Sequence, residues 1–333
     1  MRVGIIGSGL QCHRRAPVVR DWPGTELAVI ASRHEDHARR AAERFGCRWT
    51  NDWQSVIADD SIDIVLVCTP PYVHAEMTIS ALEAGKHVLC EKPLARTLDE
   101  AQHMVQAWQK SGKVLKCGFN HRHHPAVWEA KRLVDAGRIG RPVLGRCRYG
   151  ICGRPEYEKE WRADPKQAAG GQFIEQGIHA IDLFRWFLGE VSEVSCMTGI
   201  YYFRGQPLED NGMALFRFHT GATALMHASL TQWKNLFSFE ILGEDGYITV
   251  EGLGASYGTE RLFVGRRDFT APFQDVVTEY RGADRSWREE WKEFMAAIEE
   301  GREPIGSGRD GLAAMEVALA AYRAEERKTV IEL

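Results

Sequence analysis

No two of the eight cysteines (12, 47, 68, 90, 117, 147, 152, 196) in this 333-residue chain are spaced Cys-x-x-Cys, and several of them lie inside apolar runs such as Val65-Leu66-Val67-Cys68. That pattern excludes a disulfide framework and the commonest zinc spacing, and reads as buried, reduced thiols. No apolar run approaches the roughly 18 residues needed to span a bilayer. An apolar strand beginning at residue 2 leaves no room for a secretory leader. A cytoplasmic protein without a membrane partner is expected. Positive charge is not in excess: 42 Lys plus Arg stand against 46 Asp plus Glu, a formal charge of -4, with no basic block. Nucleic acid is therefore not an expected partner. Internal repeats and low-complexity segments are missing as well.

What is present is length enough for two domains. Over the first 118 residues, short β-rich runs (Val3 to Ile6, Leu27 to Ala31, Ile62 to Cys68, His87 to Cys90, Val114 to Gly118) alternate with helical patterns. The rhythm specifies βαβ units and a doubly wound parallel sheet of the Rossmann kind over residues 1–120. His34 to Phe45 and Val73 to Ala84 carry helical spacing and stop at Gly46 and Gly85. The remainder, 121–333, opens with a helix over Pro125 to Ala136. It then turns to hairpins, Ala214 to Phe218 with Thr223 to Ala228 and Phe237 to Leu242 with Tyr247 to Glu251. An α+β domain with a mainly antiparallel sheet follows, and helices over Trp287 to Glu300 and Asp310 to Glu325 close the chain against the body of the protein, packing back on the first domain. Trp287, Trp291 and Phe294 share one helical stripe and read as core.

The N-terminal strand runs into Gly7-Ser8-Gly9-Leu10, a turn suited to a dinucleotide pyrophosphate. The third glycine of the usual G-x-G-x-x-G is missing; Cys12 stands there and is small enough for close packing. Also missing is the acid that normally ends the second strand and holds a ribose 2'-hydroxyl. Ala31-Ser32-Arg33 takes its place, and a hydroxyl with a guanidinium suits a 2'-phosphate. The cofactor expected is NADP or NAD, with NADP favoured; an Arg33 that only stacks on adenine is the competing reading.

Glu175 and His179 are four positions apart and share a face if their segment is helical, while Lys92 follows a separate strand. Oxidising a secondary alcohol removes a hydroxyl proton as hydride leaves the same carbon, so a base is required. His179, with an ordinary pKa of about 6.5, suits the task, and Glu175 would fix its tautomer. Lys92 offers positive charge to an alkoxide-like oxygen or, desolvated, serves as base itself. The residues alone do not divide these roles. His121-Arg122-His123-His124 invites a metal site, but adjacent side chains diverge and no metal is expected.

These motifs resemble the glucose-fructose oxidoreductase and inositol dehydrogenase family, Gfo/Idh/MocA, along essentially the full chain. The resemblance rests on the glycine turn, Cys68-Thr69-Pro70-Pro71-x-x-His74, Ala84-Gly85-Lys86-His87-Val88-Leu89-Cys90-Glu91-Lys92-Pro93, Gly118-Phe119-Asn120-x-Arg122, and Gly170-Gly171-x-x-x-Glu175-x-Gly177-x-His179-x-x-Asp182. It implies a Rossmann domain, a second domain with a large open sheet, and NAD(P)-dependent redox chemistry on a carbohydrate-like molecule. A homodimer or homotetramer formed by sheet packing is implied too. Cofactor contacts are implied at Gly7, Ser8, Gly9, Leu10, Ser32, Arg33, Thr69, Pro70, His74, Glu91, Lys92 and Asn120. Substrate contacts are implied at Arg122, Trp161, Arg162, Glu175 and His179, and catalysis at Lys92, His179 and Glu175. Glu175 departs from the family's usual Asp by one methylene. Asp182 is expected to orient its neighbours, and His74 to support the cofactor loop. Reduction of an imine or dicarbonyl, and a non-catalytic NAD(P)-dependent sensor, are the alternative functions; the presence of both Lys92 and His179 argues against the sensor.

Overall fold

The computed structural model describes residues 1–270 and 274–333. The chain forms two compact units, residues 1–119 with 287–312, and residues 120–286 with 313–333.

In chain order the first unit contains β1 (Arg2–Ile6), α1 (Leu10–Asp21), β2 (Glu26–Ala31), α2 (Glu35–Phe45), β3 (Arg48–Thr50), α3 (Trp53–Ala58), β4 (Ile64–Val67), α4 (His74–Glu83), β5 (His87–Cys90), α5 (Leu98–Ser111) and β6 (Leu115–Cys117). The strands are parallel in the order β3-β2-β1-β4-β5-β6. Strand order reverses between β1 and β4, and ligands of open α/β sheets bind beyond the carboxyl ends of the strands at such a point. Central strands are covered on both faces, which is why they read as unbroken apolar runs; Val3, Ile5, Ile30, Ile64, Leu66 and Leu89 are buried in one core. Trp291, Phe294, Met295 and Ala297, from the returning segment, complete that core. Helix ends follow local chemistry. Gly46, at φ 74°, closes α2 with its N–H on the Ala42 carbonyl at 2.8 Å. Thr97 and Glu100 form a reciprocal capping box at the start of α5.

The second unit begins with a short 3₁₀ turn, Asn120–His123, followed by α6 (Pro125–Asp135), β7 (Pro142–Cys152), α7 (Gln172–Glu175), α8 (Gly177–Leu188), β8 (Val191–Gly199), β9 (Asn211–Phe218), β10 (Thr223–Ser229), β11 (Thr231–Gly243), β12 (Gly246–Glu251), β13 (Glu260–Arg266) and β14 (Val276–Tyr280). Then come α9 (Ser286–Glu300), which enters the first unit at Trp287, α10 (Gly308–Arg327) and β15 (Ile331–Glu332). Among the described residues nine strands form one sheet in the order β14-β13-β12-β11-β7-β10-β9-β8-β15, antiparallel except where β7 and β10 run parallel. Alternation is clean along β9: Ala214, Phe216 and Phe218 are buried, whereas Met213, Leu215 and Arg217 face outward. α8 packs on β7 and β10, and every residue of it except Trp186 is buried.

Candidate active site

The glycine turn lies where β1 gives way to α1. Gly7 has φ 108°, and a Cβ there would fall 2.4 Å from the Cys68 carbonyl oxygen, so only glycine fits. Gly9 caps α1 without any side-chain hydrogen bond, which leaves first-turn N–H groups for an anion. Nothing lies within 4 Å of a Cβ built on Gly9. A strand, a turn that admits no side chain at Gly7 and an uncapped helix of 12 residues fit a dinucleotide pyrophosphate. Leu10 is 58% exposed beside this turn. Cys12, at the position usually filled by the third glycine, is fully buried against the sheet, and burial pushes its thiol up to about 12.

Ser32 and Arg33 follow β2. Arg33 is exposed and donates to His34 Nε2 at 3.1 Å and to the Tyr72 hydroxyl at 3.2 Å. Thr69 and Pro70 follow β4, and Glu91 and Lys92 follow β5, so the expected cofactor residues of this unit gather at carboxyl ends of its strands. His74 spans two of these loops: its ring nitrogens lie 2.8 Å from the Thr69 carbonyl and 3.0 Å from the Pro93 carbonyl. Burial lowers its pKa, against the pull of the two carbonyls, which raises it. The Lys92-Pro93 peptide is cis. Glu91 points into the protein, where Arg15 of α1 donates to it at 2.6 Å and to Glu290 of α9 at 2.7 Å; all three are buried. Gly118 makes room for this arrangement, since a Cβ there would lie 3.0 Å from both Arg15 and Glu91 side-chain atoms. Thus the helix that begins at the glycine turn is tied directly to the residue preceding Lys92.

In the second unit, His179 is 4% exposed near the start of α8. The segment carrying it is not one helix, because α7 ends at Glu175, Gln176 interrupts, and the His179 N–H bonds the Gln176 carbonyl at 3.1 Å. A shared face for Glu175 and His179 on a continuous helix is therefore not what the chain builds. The break aims Glu175 at Arg162, whose Nε lies 3.1 Å away. Arg162 in turn sits over the Trp161 ring at 4.3 Å and approaches Glu160 at 3.4 Å. Nearby, burial and then the Glu175 charge push the Tyr157 phenol up.

Asn120 and Arg122 belong to the 3₁₀ turn rather than to the last Rossmann strand, and both are buried. Arg122 donates to both carboxylate oxygens of Asp182, at 2.6 and 2.8 Å, one turn beyond His179. Asn120 donates to the Ser286 hydroxyl at 3.0 Å. The three histidines of this run disperse: His121 stacks on His179 with ring centroids 3.8 Å apart and approaches Tyr149 Oη at 3.1 Å, His123 stacks on Trp128, and His124 lies 3.1 Å from Glu260. Sequence reasoning did not single out His121 and Tyr149 as neighbours of His179. The run His121-Arg122-His123-His124 drew attention in the sequence only as a metal candidate.

The family model described as "Oxidoreductase family, NAD-binding Rossmann fold" matches residues 1–119, and the GFO/IDH/MocA C-terminal domain matches 127–249. A levoglucosan dehydrogenase of Pseudarthrobacter phenanthrenivorans is 33% identical over 284 residues, 74% of this chain and 73% of the relative. The scyllo-inositol 2-dehydrogenase (NAD(+)) of Bacillus subtilis is 28% identical over 330 residues, 96% of this chain and 93% of the relative. A solved levoglucosan dehydrogenase in complex with NADH and levoglucosan matches with a TM-score of 0.89 at 29% identity, covering 100% of this chain and 99% of that one. A Rossmann unit with a pyrophosphate turn, joined in one chain to an open-sheet domain, defines a nicotinamide-dependent oxidoreductase. The chain belongs to the Gfo/Idh/MocA family of such enzymes.

Proposed function

We propose that this enzyme interconverts a secondary hydroxyl and a ketone on a sugar, polyol or related molecule, with His179 as proton acceptor. The observation that carries the reading is a buried imidazole fixed at the start of α8 by the His121 ring on one face. The names of the relatives supply the substrate class. Nicotinamide, when bound, supplies the two-electron redox partner. On the protein's side, His179 takes the hydroxyl proton during oxidation and returns it during reduction. Lys92 steadies negative charge on the substrate oxygen. Glu175, held by Arg162, contributes a carboxylate to the substrate's hydroxyls. A panel of inositols, aldoses, levoglucosan and sugar phosphates, read by nicotinamide absorbance, tests the assignment; no turnover of any member with either nucleotide would count against it.

NADP(H) is proposed to bind at least as well as NAD(H). Supporting this are an exposed Arg33, whose guanidinium donates to His34 and to the Tyr72 hydroxyl, and the absence of an acid at the end of β2. Arg33→Ala should weaken NADP(H) more than NAD(H) in direct titrations. A clear NAD preference with an indifferent Arg33 variant would defeat the proposal.

The outer face of the large sheet supports a homodimer or homotetramer. Met197, Met213, Leu215 and Leu225 lie on neighbouring strands, Met197 opposite Met213 and Leu215 opposite Leu225, and they are 73, 52, 61 and 38% exposed. A contiguous apolar strip of this kind is unusual on a monomer. Light scattering should report an assembly at micromolar concentration, and Leu215→Lys should shift it toward the monomer. A wild-type monomer would argue against the assembly.

A further inference from the structure

Glu209, just before β9, makes an unusual set of bonds to the segment that carries His179. Its carboxylate accepts the Gly171 N–H at 3.1 Å, the Phe173 N–H at 3.1 Å and the Tyr322 hydroxyl at 2.6 Å, while its own carbonyl accepts the Gln172 N–H at 3.0 Å. These bonds converge on the first turn of α7, whose cap residue, Gly171, has no side chain to satisfy it. A single four-residue turn cannot hold its own geometry, because helix nucleation is unfavourable. An anion at its N-terminus supplies both the missing acceptors and a favourable charge.

The two glycines before α7 are shaped by the same contact. A Cβ at Gly170 would lie 2.5 Å from Tyr322 Oη, and one at Gly171 would lie 2.3 Å from the Glu209 carbonyl oxygen. The next residue repeats the device in another direction: the Asp210 carboxylate accepts the N–H groups of Tyr201, Tyr202 and Phe203 at 2.9, 2.7 and 2.9 Å. Adjacent acids therefore pin two separate loops at one place. All three donors to the Glu209 carboxylate need an acceptor, so its ionised form serves them best. Burial opposes this and raises its pKa, while the same bonds pull the pKa back down.

We infer that Glu209, braced by Tyr322, is a positioning residue that sets the direction in which the interrupted α7–α8 segment presents the His179 ring. The inference rests on the reading of His179 as proton acceptor. Because the helix is broken at Gln176, α8 cannot set the path of residues 170–176 alone, and release of the Glu209 anchor would let that end move. A misplacement of about 1 Å at a reacting group can cost on the order of a hundredfold in rate.

The test uses the full-length enzyme with whichever of levoglucosan, scyllo-inositol and myo-inositol it turns over fastest. Glu209→Ala should lower kcat roughly ten- to hundredfold while leaving the KM for nicotinamide dinucleotide within about twofold. Glu209→Gln should recover part of the loss, since one oxygen can still accept from Phe173 and Tyr322. Tyr322→Phe should lose less than Glu209→Ala. Hydrogen exchange at residues 171–178 should rise in step with each loss of kcat. In a His179→Ala background, Glu209→Ala should add little, because there is no longer a ring to position. Additive losses in that cycle, or unchanged kcat in both Glu209→Ala and Tyr322→Phe, would overturn the inference. Ile248→Ala, a core change on β12, should lower stability with kcat nearly intact; a matching fall in kcat would reduce Glu209 to general scaffolding. Should Glu209→Ala fail to fold, Glu209→Gln and Tyr322→Phe carry the same cycle. Near-wild-type turnover in His179→Ala would sink the underlying reading instead, which keeps the two failures distinct.

Discussion

Replacing His179 by Ala is expected to lower kcat by about a hundred- to ten-thousandfold, the range for loss of a general acid-base group, with nucleotide affinity nearly unchanged. The separation of effects follows from placement: His179 lies in the second unit, whereas the pyrophosphate turn belongs to the first. Lys92→Ala should be at least as damaging, because it removes the positive charge available to an alkoxide-like oxygen. Glu175→Gln should cost less than either, since the amide keeps an acceptor for Arg162 even though the charge is lost. Steady-state kinetics and nucleotide titration on the three variants would decide the set. Near-wild-type turnover in both Lys92→Ala and His179→Ala would end the assignment.

The second large effect concerns stability. Arg15 is buried between Glu91 and Glu290, and Lys116 lies 4.0 Å from Glu290 with its side chain fully buried. Glu290→Ala takes away a carboxylate that faces both buried cations, and breaking a buried pair in this way typically costs about 3–5 kcal/mol. For a unit of this size that corresponds to a fall of roughly 6–20 °C in Tm. Glu290→Gln, which keeps the hydrogen bond but not the charge, should fall between. Calorimetry on the three proteins measures the effect, and a loss under about 1 kcal/mol would show that Arg15 finds water or another acceptor.

The Rossmann half was legible because its strands are buried on both faces and spell themselves as apolar runs, as in Ile64–Val67 and His87–Cys90. β3 escaped because Arg48-Trp49-Thr50 is a three-residue edge with little burial. Helix α5 was not read from the sequence, although its capping box, Thr97 and Glu100, is a local signal that marks its start. In the second unit the two hairpins were readable from their turns, whereas β7 was not. Its run of glycines and arginines gains strand character only between β10 and β11, partners more than seventy positions away. The site divides along the same line. Lys92 and His179 stand in recognisable motifs, but the break at Gln176, the turn of Glu175 toward Arg162 and the His121 stack arise from contacts between distant segments. Trp291 and Phe294 were readable as core from their helical stripe, and the core they enter is that of the first unit.

That last point bears on how the protein comes into being. Residues 1–119 emerge from the ribosome long before α9, yet Trp291, Phe294 and the Glu290 carboxylate are structural members of their core. Until some 170 further residues have been synthesised, the nascent Rossmann sheet carries an open apolar flank and an arginine short of one counter-charge. A fragment cut after Gly118 would inherit both defects, so the cofactor half of this enzyme is not a module that can be lifted out whole by cutting the chain once.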